Sequence, residues 1–186
     1  MSGHRVCPWW LGYLLACPLR RRVHNAAAIL APYVHEGMTV LEPGPGMGFF
    51  TLELGRRVGA RGRVVAVDIQ PKMLAVLQRR AKRAGVGGQV EARLAPAASL
   101  GLDDLAGQVD FALAFAMVHE MPSASAFFAD VSRAMKPGAR MLVAEPSGHV
   151  NDAAFAEELN AAAAAGLRVL ERPAIRRSFA AVLVKE

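Results

Sequence analysis

Residues 39–70 read TVLEPGPGMGFFTLELGRRVGARGRVVAVDIQ, and this stretch limits the possible folds more than any other. Thr39, Val40 and Leu41 make a short apolar run closed by Glu42. Gly44, Gly46 and Gly48 follow at every second position. Residues 49–58 have helical spacing, and residues 64–67 form a second apolar run that ends in Asp68. Strand, glycine turn, helix, strand and acid in this order outline a βαβ nucleotide site. The glycines permit a tight turn and close backbone approach to a ligand. The helix beginning after Gly48 offers uncommitted N–H groups and a partial positive charge to a carboxylate or phosphate. Asp68 at the second strand tip can accept two hydrogen bonds from ribose hydroxyls.

The dinucleotide fingerprint needs its third glycine three residues after the second. Phe49 stands there, which disfavours NAD and FAD. A phosphate-cradling loop of the Gly-Lys-Ser/Thr type is also absent. The pattern Glu-x-Gly-x-Gly-x-Gly, with Asp68 downstream, resembles motif I and the following acidic loop of class I S-adenosylmethionine-dependent methyltransferases. That resemblance implies a Rossmann-like seven-stranded, mostly parallel sheet with a reversed last strand and helices on both faces. It also implies S-adenosyl-L-methionine as cofactor.

At 186 residues the chain is long enough for one domain with a full core. It is 53% hydrophobic and only 20% charged, so a soluble globular α/β protein is expected rather than disorder. The net charge of +6 admits nucleic acid or anionic membrane surfaces as partners, but the arginines are spread over many segments. Cys7 and Cys17 make no disulfide framework, so a reduced cytoplasmic setting is expected. Residues 6–19 are apolar but interrupted by prolines, too short to span a bilayer, and followed rather than preceded by basic residues. Neither a signal peptide nor a spanning helix is expected there.

Residues 8–34 are expected to be helical in two pieces broken near Pro18. Trp9, Trp10 and Tyr13 give this segment an aromatic surface. By resemblance, residues 1–36 form a lid that shapes the substrate pocket, and residues 37–186 form one compact cofactor-binding unit. Packing on a sheet edge, or contact with a membrane surface, would use the same aromatic residues. The second helix covers residues 71–84, with Pro71 in its first turn and Met73, Leu74, Leu77 and Ala81 facing inward. Residues 89–94 form the third strand. The acid that often follows it in the family is missing, since Leu94, Ala95, Pro96 and Ala97 stand there.

Residues 100–105 read as a short helix or turn, and residues 109–116 as a buried fourth strand. Ser123 caps a helix running to residue 135, and Lys136-Pro137-Gly138 reads as its stop. Residues 139–144 form the fifth strand. Asn151 or Asp152 caps a helix through residue 165. Residues 168–171 and 179–184 close the chain as a hairpin, since the link is too short for a crossover.

The resemblance assigns Glu42, Gly44, Gly46, Gly48, Asp68, Ile69, Phe115 and Ala116 to the cofactor. His119 and Glu120, after the fourth strand, fall where the family often contacts the acceptor. A histidine there can act as a base, or serve as a pocket wall. His149 belongs to another strand-tip loop and joins Trp9, Trp10 and Tyr13 as a candidate for the substrate pocket. No compact metal-ligand spacing is present, so no metal is assigned.

The sequence after the fourth strand lacks the Asn/Asp-Pro-Pro-aromatic pattern of enzymes acting on exocyclic amines of bases, and there is no Pro-Cys nucleophile for cytosine. DNA is therefore not expected as a substrate. The overall style is most similar to the small-molecule group that includes quinone C-methyltransferases. The expected function is methyl transfer to a small apolar or aromatic acceptor. An RNA-directed methyltransferase and a catalytically silent cofactor-binding module are the alternatives.

Overall fold

The computed structural model describes residues 23–96 and 99–186. These fall into two compact units, one ending at residue 98 and the other covering Ser99–Glu186. Seven strands take the sheet order β3-β2-β1-β4-β5-β7-β6, which bears out the expected fold class.

The first unit opens with a short helix, α1 (Ala26–Leu30), capped by Asn25, whose side chain accepts from the Ala28 N–H at 3.1 Å. The longer helix expected over residues 8–34 is thus only this one turn and a half among the described residues; residues 8–22 lie outside them. Strand β1 (Thr39–Pro43) runs parallel to β2 (Arg63–Asp68), with Val40 opposite Val64. Strand β3 (Val90–Leu94) adds in parallel to β2. The helices between them are α2 (Thr51–Val58) and α3 (Pro71–Arg83). Pro71 begins α3 because its missing N–H costs nothing in a first turn. Leu74 and Leu77 of α3 pack with Ala66 of β2, and Val90 and Ala92 of β3 flank them. Helix α2 starts at Thr51 instead of residue 49, because the glycine turn persists through Phe50.

In the second unit β4 (Val109–Phe115) is buried at every residue except Asp110. A strand covered on both faces needs such a run. It pairs in parallel with β5 (Met135–Pro146), Phe115 lying opposite Ala144. Helix α4 (Ala124–Ala134) joins them, and Ser123 caps it by accepting from the Ala126 N–H at 3.2 Å. Phe127, Phe128 and Val131 face the core. The expected stop at Lys136-Pro137-Gly138 does end α4, but it does not precede the fifth strand. Strand β5 runs through it from Met135, with a register shift against β4 between Val109 and Phe111. Gly138 absorbs the irregularity at φ +76°, and Lys136 pairs with Asp110 at 2.5 Å.

Asn151 rather than Asp152 caps α5 (Asp152–Ala164), accepting from the Ala154 N–H at 2.9 Å. Strands β6 (Leu167–Glu171) and β7 (Ser178–Lys185) form the expected hairpin, and β7 runs antiparallel to β5. Among the described residues no helix is long and apolar enough to cross a membrane.

Candidate functional site

The glycine turn of the first unit begins where β1 ends. Gly44 donates to the Val67 carbonyl at 2.8 Å, tying the turn to the tip of β2. Arg80, reaching from α3, donates to the Met47 carbonyl. Gly48 sits at φ +84°, and a Cβ there would lie 2.3 Å from Leu77 Cδ1. Its role is close packing of the turn against α3. Gly46 differs: at φ +54°, a Cβ there would meet nothing within 4 Å. That open space leaves room beside the backbone of the turn. Phe50 at the start of α2 makes no side-chain capping bond, so the first turn is not closed off by its own cap.

Glu42 is buried at the end of β1. Asp68 is half-buried at the end of β2, and one carboxylate oxygen accepts the Gln70 N–H at 2.9 Å. A carboxylate has about four acceptor positions, so that turn is compatible with two ribose hydroxyls. The next residue, Ile69, is 52% exposed despite its apolar side chain. An open glycine turn, a strand-tip acid and an exposed apolar residue fit an adenosine-bearing cofactor. Glu42, Gly44, Gly46, Gly48, Asp68 and Ile69 all belong to this unit.

The second unit holds Phe115, Ala116, His119, Glu120 and His149. Phe115 is buried at the end of β4. Ala116 then adopts φ +58°, a left-handed conformation that costs a residue with a Cβ roughly 1–2 kcal/mol. Its N–H donates to the Ala144 carbonyl at 2.7 Å, so the sheet ladder holds it there. The turn aims the next two backbone N–H groups at one carboxylate. Glu145 Oε1 accepts from Met117 at 3.1 Å and from Val118 at 2.8 Å. Glu145 Oε2 meets His119 Nδ1.

Glu145 is fully buried, and three N–H groups converging on it compensate for its desolvation. A carboxylate only accepts, so the shared proton is on Nδ1 and the neutral ring offers its Nε2 lone pair elsewhere. The hydrogen bond to Glu145 raises the His119 pKa above its ordinary 6.5. Burial works against this, and the charges of Glu145, Glu120 and Glu158 add to it. Glu120 Oε1 lies 4.0 Å from His119 Nε2. The His149 ring stacks on that of His119, centroids 5.8 Å apart and planes 11° from parallel.

Two acids of this cluster were not among the residues singled out from the sequence. Glu145 carried one signal: it is an acid closing an apolar strand. Glu158 carried another, since it shares the inward face of α5 with Phe155, Leu159 and Ala162. Burial pushes the Glu158 carboxyl up to about 7, with a further rise from Glu145 and an opposing effect from His119. Trp9, Trp10 and Tyr13 lie outside the described residues. Among the described residues no group of three or more His, Cys, Asp or Glu side chains is arranged to hold a metal ion.

A family model described as a methyltransferase domain matches residues 34–172. The ubiquinone/menaquinone biosynthesis C-methyltransferase UbiE of Idiomarina loihiensis is 36% identical over 118 residues, which covers 63% of this chain and 46% of that protein. The Enterobacter protein of the same name is 35% identical over 115 residues, covering 60% and 44%. The chain thus spans less than half the length of these curated relatives. A solved S-adenosylmethionine-dependent methyltransferase from Aquifex aeolicus superposes with a TM-score of 0.87 at 23% identity, covering 97% of this chain and all of that one. The geranyl diphosphate C-methyltransferase of Streptomyces coelicolor, solved with S-adenosyl-L-homocysteine, gives 0.73 at 16% identity over 89% of this chain and 80% of that one. These two structures show the same fold.

Proposed function

This chain belongs to the methyltransferase-domain family whose cofactor is S-adenosylmethionine, and from that premise we propose that it methylates a small apolar or aromatic acceptor with His119 as the base. The observation that carries the proposal is the ring of His119 fixed through Nδ1 by the buried Glu145. A base held by a third group in one tautomer is the arrangement that proton removal requires. A silent binding module has no need of it, and no observation favours an RNA-directed enzyme.

In the first unit Gly44 and Gly46 would let the backbone approach the methionine and ribose parts of the cofactor, and Gly48, packed against α3, would hold the turn that presents them. Glu42 would orient the amino end, Asp68 would hold the ribose hydroxyls, and Ile69 would pack on adenine. In the second unit Phe115 and Ala116 would line the cofactor near the transferred methyl. When bound, the cofactor supplies an electrophilic methyl group on a sulfonium. The protein's part is to align the acceptor, exclude water and manage a proton.

The names of the curated relatives support a carbon acceptor on an electron-rich ring. Methylation of a ring carbon forms a carbon–carbon bond, breaks the carbon–sulfur bond and releases a ring or hydroxyl proton. His119 Nε2 would take that proton, and Glu145 would hold the resulting imidazolium. The stacked His149 would keep the ring from swinging and wall the acceptor, with Trp9, Trp10 and Tyr13 of the 1–36 segment as further apolar walls. Glu120 would sit beside Nε2 as an alternative proton acceptor. The two cysteines, outside any disulfide framework, support placement in the cytoplasm.

The test is transfer of labelled methyl from S-adenosylmethionine to a panel of phenols and hydroquinones. Labelled product from the wild type, lost in His119→Ala while cofactor binding is kept, is the expected result. Undiminished turnover by His119→Ala would exclude the base.

A further inference from the structure

The glycine turn is gripped by two residues on one face of α3. Leu77 and Arg80 are three apart, so they project side by side from the helix. Leu77 Cδ1 lies 2.3 Å from where a Cβ at Gly48 would be, so the turn packs closely on it. Arg80, half-buried, donates through Nη1 to the carbonyl of Met47, itself a buried residue. Both polar groups of the Met47–Gly48 peptide are therefore committed inside the protein. Its carbonyl goes to Arg80, and its N–H goes to the Pro45 carbonyl at 2.9 Å. The two preceding N–H groups differ. Among the described residues, those of Gly46 and Met47 donate to no backbone carbonyl, and Gly46 has room beside it.

That peptide has an alternative orientation. Gly48 sits at φ +84°, and glycine accepts φ of either sign about equally. Turning the Met47–Gly48 plane over changes mainly ψ of Met47 and φ of Gly48, so glycine at 48 leaves the choice open. The bond to Pro45 is local, within one turn of four residues. Arg80 is the restraint from another element, 33 residues along the chain. We propose that Arg80 is a positioning residue for the cofactor: by holding the Met47 carbonyl toward α3, it selects the arrangement of the glycine turn in which Gly46 and Met47 offer their N–H groups to a ligand. Without the guanidinium a buried carbonyl loses its partner, and the flipped peptide, which turns that carbonyl away from α3, gains population. A cofactor must then bind a fractionally populated turn, and its apparent affinity falls by that fraction. The effect on affinity rests on the turn being the cofactor site; the hold of Arg80 on the peptide does not.

Amide NMR of the full chain without cofactor reads the turn, and calorimetry with S-adenosylhomocysteine reads the consequence. Wild type is compared with Arg80→Leu and Arg80→Gln. Both remove the charged donor and insert a good helix former, so one of the pair suffices if the other folds poorly. Wild type is expected to give one sharp Gly48 amide signal. The variants are expected to give a doubled or exchange-broadened signal, which merges into one on saturation with S-adenosylhomocysteine, and an affinity lower on the order of tenfold. Arg80→Lys keeps a charged donor and should recover part of both. A single sharp Gly48 signal in the variants would overturn the proposal, because an arginine that only adds stability leaves the turn in one form. Wild-type affinity in either variant would overturn it too. Failure of the wild type to bind S-adenosylhomocysteine would instead remove the turn as the cofactor site, while a doubled Gly48 signal would still uphold the hold of Arg80 on the peptide.

Discussion

His119 and Glu145 are joined through Nδ1 and Oε2, while the other oxygen of Glu145 holds the backbone N–H groups of Met117 and Val118. One buried carboxylate thus fixes both the imidazole and the turn that carries it. The left-handed Ala116 is the conformation that brings these groups together, and its strain is offset by the bonds it allows.

The pair predicts how two variants will behave. His119→Ala is expected to lower kcat on the order of 10²- to 10⁴-fold. Glu145→Gln should lose nearly as much, because its amide would donate to Nδ1 and shift the ring proton to Nε2, the atom needed as base. His119→Ala removes no residue assigned to the cofactor and none of the bonds that hold the turn after Ala116, so its cofactor affinity measured by calorimetry should stay within about threefold of wild type. Strong turnover by Glu145→Gln would show that the tautomer does not matter.

Gly48 and Gly46 are expected to separate into folding and binding roles. Gly48→Ala drives a Cβ toward Leu77 and holds alanine at φ +84°, so it should destabilise the protein by about 2–4 kcal/mol. Gly46→Ala meets open space and carries only the backbone strain, about 1–2 kcal/mol. Its main effect should be lost cofactor affinity. Denaturant melts beside binding isotherms read both, and equal stability losses without any binding defect in Gly46→Ala would contradict the assignment.

Asp68→Ala removes the strand-tip carboxylate but leaves the sheet pairing of β2. Each hydrogen bond to a charged group is worth about 1.5–3 kcal/mol, so affinity for S-adenosylhomocysteine should fall on the order of tenfold to several hundredfold. Ile69→Ala should cost less, on the order of a few-fold, from lost apolar contact with adenine. Wild-type affinity in Asp68→Ala would place the ribose elsewhere.

Glu158 makes stability depend on pH in a direction unusual for an acid. Its folded value, about 7, lies above the ordinary 4.5, so the native state holds a proton that the unfolded chain releases. Stability contributed by that proton is complete below about pH 4.5 and is lost as pH rises toward about 7, a change of roughly 3 kcal/mol. His119 acts in the same sense: its raised pKa gives stability that is complete below 6.5 and is lost as pH rises through the folded value. Urea melts should show wild type losing stability from mildly acidic to mildly alkaline pH. Glu158→Gln should flatten that slope and be the more stable protein at pH 8; an unchanged slope would deny Glu158 its buried proton.

The first βαβ unit was readable from sequence because each of its signals is local. Apolar runs, a glycine turn and Pro71 at a helix start all act within a few residues. Even there, the persistence of the turn through Phe50 was hidden, since it depends on the packing of Gly48 against Leu77 of another helix. The run of β5 through Lys136-Pro137-Gly138 was hidden for a similar reason: Lys136 finds Asp110 only once β4 and β5 pair. His119 could be singled out, but its partner could not. Glu145 follows it by a whole helix and strand, and the two meet because β4 and β5 end side by side. Glu158 was obscured further, as one of three acids in an alanine-rich helix looks like a solvated residue until the burial of Phe155 fixes its face.

The most direct measurement of the account is methyl transfer itself. The full chain is incubated with methyl-labelled S-adenosylmethionine and a lipid extract rich in quinols, and label is followed into extractable small molecules and into RNA in parallel, with His119→Ala alongside. The account predicts label in an apolar small molecule, dependent on His119, with the variant still binding cofactor. Label in RNA, or a small-molecule product formed equally well without His119, would contradict it.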